Sequence, residues 1–73
     1  MKQTQKELVL ECLVFVRGQW VSVPDIRDFT GYRGNYADRV QARIWELRQD
    51  GHNIEGRYRK QPIFEYRLIE GAA

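Results

Sequence analysis

One amphipathic stretch, followed by a change in the spacing of the apolar residues, constrains the fold of this chain more than any other feature. From residue 35 to residue 50 the apolar side chains recur at intervals of four, four and three: Tyr36, Val40, Ile44 and Leu47. That spacing puts them on one face of an α-helix, with Asn35 placed to cap its start and Gly51 to end it. After Gly51 the apolar residues alternate instead, as in Phe64, Tyr66 and Leu68. The sequence therefore predicts a helix over residues 35–50 and β structure after it.

The alternating part is predicted to form a β-hairpin. Two strands are expected, at Ile54–Tyr58 and Ile63–Ile69, with the connection contained in Gly56–Pro62. The tip sets three positive charges around one aromatic ring, in the sequence Arg57-Tyr58-Arg59-Lys60-Gln61. A basic hairpin suits a surface of phosphates, but a basic turn also keeps an edge strand from pairing with a neighbouring chain. Both interpretations fit the sequence.

The first helix is predicted from a local start signal. Thr4 and Glu7 have the spacing of a capping box. The helix is expected over about Gln5–Arg17, because a glycine follows directly and accepts the left-handed conformation that ends helices. Its inward stripe is expected to consist of Val9, Cys12, Leu13 and Val16. Leu10 and Val14 fall outside that stripe and are expected to face solvent.

A second, short helix is predicted over Val23–Phe29. Ser22 is placed to cap it, and a proline followed by an aspartate occupies its first turn. The segment before it, Trp20–Ser22, is expected to be briefly extended, and Thr30–Gly34, with two glycines, is expected to be a loop. The residues of this helix expected to enter the core are Ile26 and Phe29.

The chain is 73 residues long, which allows one small domain over residues 1–73 with a core of about 4–69. Its single cysteine, Cys12, and single histidine, His52, exclude an internal disulfide and leave too few ligands for a structural zinc site. Cys12 is expected to be a core residue and His52 a surface residue. Because the sequence contains no nucleophile elbow, paired catalytic carboxylates or phosphate-binding glycine loop, we expect neither an enzyme nor a cofactor.

Charge and hydropathy indicate the partner class and the location. The longest apolar stretch, residues 8–16, is interrupted by Glu11 and is too short to cross a bilayer. No signal peptide is expected, so the predicted location is cytoplasmic, either in the host cytoplasm or associated with the nucleoid. Residues 1–30 are balanced in charge, whereas residues 31–69 carry eight basic and five acidic side chains. The basic C-terminal half favours an anionic partner.

The order of these elements resembles that of the winged helix-turn-helix family over about residues 4–69. The likeness is closest to small helix-turn-helix proteins of bacteriophages and prophages, and it is carried by the string Val40-Gln41-Ala42-Arg43-Ile44-Trp45-Glu46-Leu47-Arg48-Gln49-Asp50-Gly51-His52-Asn53-Ile54. In that family an apolar pair ends the third helix, a glycine follows, and an apolar residue opens the wing; the matching residues here are Ile44, Leu47, Gly51 and Ile54. The resemblance implies a mainly α (α+β) fold with three helices plus a C-terminal β-hairpin wing, and it implies binding to double-stranded DNA.

Within this resemblance, helix 35–50 is the recognition helix and residues 57–61 form the wing. The outward arc of the helix is the predicted reading face: Asn35, Asp38, Arg39, Ala42, Trp45, Glu46 and Gln49. Arginine matches guanine, asparagine matches adenine, aspartate accepts from cytosine, and alanine touches a thymine methyl group. Arg43, on the flank, is expected at a phosphate, and Tyr32 and Arg33 are also expected at the backbone. The predicted DNA-binding residues are Arg33, Asn35, Tyr36, Asp38, Arg39, Ala42, Arg43, Arg57, Tyr58, Arg59 and Lys60.

We expect a phage-type or prophage-type transcriptional regulator, or a DNA-architectural accessory factor, that self-associates weakly. The alternative is a winged-helix module that docks on a polymerase, a replication protein or a recombination protein through Leu10, Val14 and Trp45. Trp45 either folds back over Trp20 or the wing, or it marks such a docking surface. Cations gathered on one continuous surface would favour DNA binding, whereas an uncovered apolar patch would favour docking.

Overall fold

The first helix, α1 (Gln5–Phe15), begins where the sequence predicts. In this computed structural model, which describes residues 3–69, the Thr4 hydroxyl accepts from the Glu7 amide at 3.2 Å and the Glu7 carboxylate accepts from the Thr4 amide at 2.8 Å. The predicted capping box is therefore confirmed. The helix ends two residues earlier than predicted, because Arg17 adopts a φ of 54°, outside the helical region.

The inward stripe of α1 differs in part from its prediction. Val9, Cys12 and Leu13 are buried as expected, and Leu8 is buried as well; Val16 is only half-buried. Leu10, expected to face solvent, packs half-buried against the core. Val14 is 56% exposed, as predicted, and the neighbouring Phe15 is 69% exposed. The apolar surplus of α1 therefore lies at its C-terminal end.

The second helix, α2 (Val23–Tyr32), is capped by Ser22, whose hydroxyl accepts from the Asp25 amide at 3.3 Å. It continues three residues past Phe29, so the prediction of a loop beginning at Thr30 was wrong. Thr30 is fully buried; its hydroxyl donates to the Arg27 carbonyl at 2.9 Å and accepts from the Ala37 amide at 2.8 Å. Burial of this hydroxyl between two partners keeps the residue in the helix despite the glycine that follows it.

The third helix, α3 (Val40–Gln49), begins five residues later than predicted. Residues 35–39 lie outside it, so Asn35 does not cap it; the residue at the cap position is Arg39, which makes no side-chain capping hydrogen bond. The Asn35 amide group donates instead to the Gln3 carbonyl at 2.8 Å, and Gln5 donates to the Tyr36 carbonyl at 3.0 Å. Because this segment is held against the start of α1, it cannot also form the first turns of α3.

The predicted hairpin is confirmed as β2 (Ile54–Lys60) and β3 (Ile63–Leu68). The two strands pair antiparallel from Ile54↔Leu68 to Lys60↔Ile63, with an irregularity between Tyr58 and Lys60 that leaves Arg59 as an extra residue. The short extended segment β1 (Val21–Ser22) pairs with β3, so that the sheet order is β1-β3-β2. Three helices and a three-stranded antiparallel sheet make this an α+β fold.

The core lies between the three helices and the base of the sheet. Its buried residues come from every helix and strand and from the segment before α3: Val9, Cys12, Leu13, Val21, Ile26, Ala37, Val40, Ile44, Leu47, Ile54 and Tyr66. The inward positions of α3 are thus Val40, Ile44 and Leu47, as predicted, whereas Tyr36 is 55% exposed. The orientation of α3 is fixed by these contacts, and so is the set of side chains that it presents to solvent.

Candidate nucleic-acid interface

The solvent-facing arc of α3 is formed by five side chains. Opposite the buried positions lie Gln41, Ala42, Trp45, Glu46 and Gln49; Ala42 and Glu46 are half-buried, Trp45 is 61% exposed, and both glutamines are exposed. All of them except Gln41 belong to the predicted reading face. Gln41 was missed because it lies at the edge of the arc, about 100° from Val40.

The two arginines within α3 are engaged in intramolecular contacts. Arg43 lies 3.3 Å from the Glu46 carboxylate through its Nη2 atom, and its side chain is only 28% exposed. Arg48 donates to the Ile54 carbonyl through Nε at 3.1 Å and through Nη2 at 2.9 Å, and its guanidinium lies 5.9 Å from the Tyr66 ring centroid. The arc between these side chains therefore presents amide and apolar groups and the Glu46 carboxylate, not guanidinium groups.

The segment before α3 places the other predicted contacts differently. Asp38 has an exposed carboxylate, and its carbonyl accepts from Arg27 Nη2 at 3.3 Å. The ring of Tyr36 packs against Gly31: a Cβ atom built on residue 31 would lie 3.1 Å from Cδ2 of Tyr36. The Asn35 amide donates to the Gln3 carbonyl, just before α1, and so it is not directed to the outward arc of α3. Arg39 alone in this segment offers an exposed cation with no ion pair among residues 3–69.

Arg33 and its neighbourhood face α1. The Arg33 guanidinium lies 2.6 Å from the Glu11 carboxylate and 5.0 Å from the Phe29 ring centroid. Phe29 in turn packs against Phe15, with ring centroids 5.8 Å apart. Tyr32 is 93% exposed. Arg33 thus forms part of an α1–α2 surface and not of the surface that α3 presents.

One predicted wing cation, Arg57, is held on the outer face of the sheet. It lies 2.7 Å from the Glu65 carboxylate and 4.0 Å from the centroid of the Trp20 ring. Arg67 covers the same ring at 4.8 Å and pairs with Glu55 at 2.7 Å. Since Glu65 is almost completely buried, its charge requires this partner, and Arg57 has a structural role.

The remaining wing cations, Arg59 and Lys60, are exposed at the tip, and neither has an ion pair within the described residues. Tyr58 is 58% exposed and packs edge-on against Phe64, with ring centroids 4.9 Å apart. The aromatic contact stiffens the hairpin below its tip, while the two cations extend from it. Trp45 makes no ring contact in residues 3–69 and is 61% exposed, and Trp20 is covered by arginines, so the first of the two alternatives for Trp45, that it folds back over Trp20 or a ring of the wing, is not what the structure shows.

An open groove of about 520 Å³ joins the start of α3 to the wing. One wall is the first turn of α2 and the entry to α3, and the other is the end of the hairpin; its lining is Val23, Pro24, Arg27, Asp38, Arg39, Val40, Gln41, Ala42, Pro62, Ile63 and Phe64. The two wing cations are not part of the lining, but Lys60 pairs with Ile63, which is. The groove therefore carries the charges of Arg27, Asp38 and Arg39, and the basic tip is next to it in the strand. Arg27 also reaches this groove, and no local pattern in the sequence pointed to it.

The protein's only thiol is shielded. Cys12 is 2% exposed, and burial, with a smaller contribution from Asp25, raises the pKa of its thiol to about 11. It is therefore protonated at neutral pH and belongs to the core, as predicted. Within residues 3–69 no cluster of histidine, cysteine, aspartate and glutamate could hold a metal ion.

Comparison of the chain with protein-family models, with curated proteins and with solved structures finds no match. Among the described residues, no helix has the length and apolar character needed to span a membrane. Function is therefore inferred from the arrangement of the exposed residues.

Proposed function

We propose that this protein is a winged helix-turn-helix domain that binds double-stranded DNA without catalysis, as a phage-type or prophage-type regulator or an architectural accessory factor. The observation that carries the proposal is that Arg39 lines a groove beside the outward arc of α3, while Lys60, in the exposed basic tip with Arg59, pairs with Ile63, another residue of the groove lining. The element order and the β1-β3-β2 sheet are compatible with this fold family.

The dimensions of the surface fit a duplex. A helix with its side chains is about 10–12 Å wide, close to the width of the major groove. With α3 in the groove, the hairpin tip lies to one side, where it meets the phosphate backbone or the adjacent minor groove. The first amide groups of α3 lack a side-chain cap and are available to a phosphate oxygen.

The structure changes the roles that we propose for individual residues. Arg39 is assigned to a phosphate at the entry of α3, together with Arg59 and Lys60 from the wing. The arc of α3 is assigned to the base edges. Arg43 and Arg57 are assigned to internal ion pairs with Glu46 and Glu65, and they are no longer proposed as DNA contacts.

The docking module stays as a second candidate because one observation favours it. Val14, Phe15 and Trp45 are each more than half exposed. Val14 and Phe15 are neighbours at the end of α1, whereas Trp45 belongs to a different helix, α3. Leu10, which the sequence predicted to be part of the docking surface, packs against the core and is not proposed as a docking residue. Weak self-association through the end of α1 remains a prediction.

The first test measures how the affinity for a random-sequence duplex depends on salt. Changing both Arg59 and Lys60 to alanine should weaken binding to every duplex alike, since phosphate contacts carry no sequence information. The slope of log affinity against log salt should flatten by up to about two units, because each lost phosphate contact removes about 0.9 of a unit.

A matched double variant tests whether the position of the two removed charges matters or only the net charge of the protein. Arg17→Gly with Arg33→Ala also removes two positive charges, and glycine fits the φ of 54° at residue 17. Arg17 is exposed in the turn after α1 and Arg33 lies at the α1–α2 surface, so this variant should keep nearly the full salt slope. An equal loss in both variants would mean that only net charge matters, and it would refute the proposed wing contact.

A further inference from the structure

Resting on the proposed function, we propose that α3 selects A·T base pairs, through the amide groups of Gln41 and Gln49, with Ala42 and Trp45 against thymine methyl groups. The arc that would face the base edges holds two glutamines, two apolar residues and Glu46, whose carboxylate is paired with Arg43 at 3.3 Å. No lysine or arginine lies on it, because Arg43 and Arg48 are turned to internal partners.

The hydrogen-bonding pattern of the major groove explains the choice. A glutamine amide offers one donor and one acceptor, which match the N7 acceptor and the N6 donor of adenine. Guanine presents two acceptors, N7 and O6, which suit an arginine and leave the carbonyl of an amide facing an acceptor. An arc with amides and without guanidinium groups should therefore prefer A·T pairs and bind G·C pairs less well.

Both amides are available for this role. Neither Gln41 nor Gln49 has a side-chain hydrogen bond to another described residue, and both are exposed. They are eight positions apart on α3, about 12 Å along its axis, which corresponds to about three to four base pairs. Trp45 lies midway between them, and the small side chain of Ala42 borders the same arc.

The test compares short duplexes with identical flanks and a central segment of about four base pairs, built as mixed A·T pairs, mixed G·C pairs or inosine·cytosine pairs. Inosine lacks the minor-groove amino group of guanine but keeps its major-groove acceptors, so it separates reading by α3 from reading by the wing. We expect the A·T segment to bind about tenfold more tightly than both others. Gln41→Ala with Gln49→Ala should abolish that difference and leave the salt slope unchanged.

Gln19→Ala provides the control, because Gln19 is exposed in the connection between α1 and β1. It should retain the full A·T preference. Equal binding of all three duplexes by the unmodified protein, with strong salt dependence, would refute the A·T selection and leave DNA binding intact. Inosine·cytosine binding as tight as A·T binding would assign the selectivity to the minor groove and also refute it. Absence of salt-sensitive binding to any duplex would refute both proposals.

Discussion

At the scale of single residues, Gly56 shows how a close contact dictates the amino acid. A Cβ atom on residue 56 would lie 2.6 Å from Cε1 of Phe64 and 3.0 Å from Cε1 of Tyr66. The two rings pack with centroids 5.0 Å apart and cross the backbone of β2 at this point. A glycine in the strand interior is costly in entropy, and here it is required because the aromatic rings occupy the place of a side chain.

We therefore predict that Gly56→Ala lowers the free energy of unfolding by about 1–3 kcal/mol, the usual range for forcing atoms into a packed site. Denaturant unfolding followed by fluorescence measures this. In a Phe64→Ala background the same substitution should cost much less, since the ring that it meets is gone. An unchanged stability in the Gly56→Ala variant, or an equal cost in both backgrounds, would contradict the contact.

At the scale of elements, local signals were predictable and distant contacts were not. The starts of α1 and α2 follow from Thr4 and Ser22, whose hydroxyls cap amides only three residues away. The start of α3 could not be predicted, because the hydroxyl of Thr30 holds the amide of Ala37 and removes that segment from the helix. The hydrophobic period alone carries no information about such a contact.

The same contrast explains the candidate site. The exposed cations of the tip, Arg59 and Lys60, follow from the hairpin pattern alone. The role of Arg57 depends on the register that sets it opposite Glu65, and the role of Arg33 depends on packing between α1 and α2. Each of these features requires knowledge of a neighbour far along the chain.

Two carboxylates make stability depend on pH: Glu7, in the capping box of α1, and Asp50, which pairs with Lys6 of α1 from the end of α3. Hydrogen bonds from Thr4 hold the pKa of Glu7 below its usual range, and a hydrogen bond from Lys6 at 2.9 Å does the same for the pKa of Asp50. A carboxylate whose pKa is lowered by folding contributes stability above its unfolded pKa, and that contribution is lost as the pH falls through the folded value.

We predict that the thermal midpoint falls as the pH drops below the ordinary pKa of a carboxyl group, about 4, because the unfolded chain then takes up protons that the folded protein binds less readily. Glu7→Gln with Asp50→Asn should lower stability at neutral pH and reduce this acid dependence. Asp28→Asn, which changes an exposed carboxylate of α2 with no ion pair in the described residues, should leave the dependence intact. An acid dependence as steep in the double variant as in the unmodified protein would contradict the assignment.

At the scale of the whole molecule, the exposed cations of the candidate interface and the apolar end of α1 belong to different elements. Arg39 lines the groove at the entry of α3 and Arg59 and Lys60 are at the wing tip, whereas Val14 and Phe15 lie at the end of α1; Trp45 lies on the arc of α3. A duplex on α3 and the wing and a protein partner on the end of α1 would therefore meet different parts of the molecule. The location of binding, and not affinity alone, distinguishes the two candidate functions.

The most direct test of DNA binding by α3 and the wing is a titration of isotope-labelled protein with a random-sequence duplex at low salt, followed residue by residue through its amide NMR signals. We predict salt-sensitive shifts concentrated in residues 39–49 and 58–61, with the signals of Val14 and Phe15 unchanged. No shift on adding any duplex, or shifts confined to the end of α1, would contradict the proposed interface.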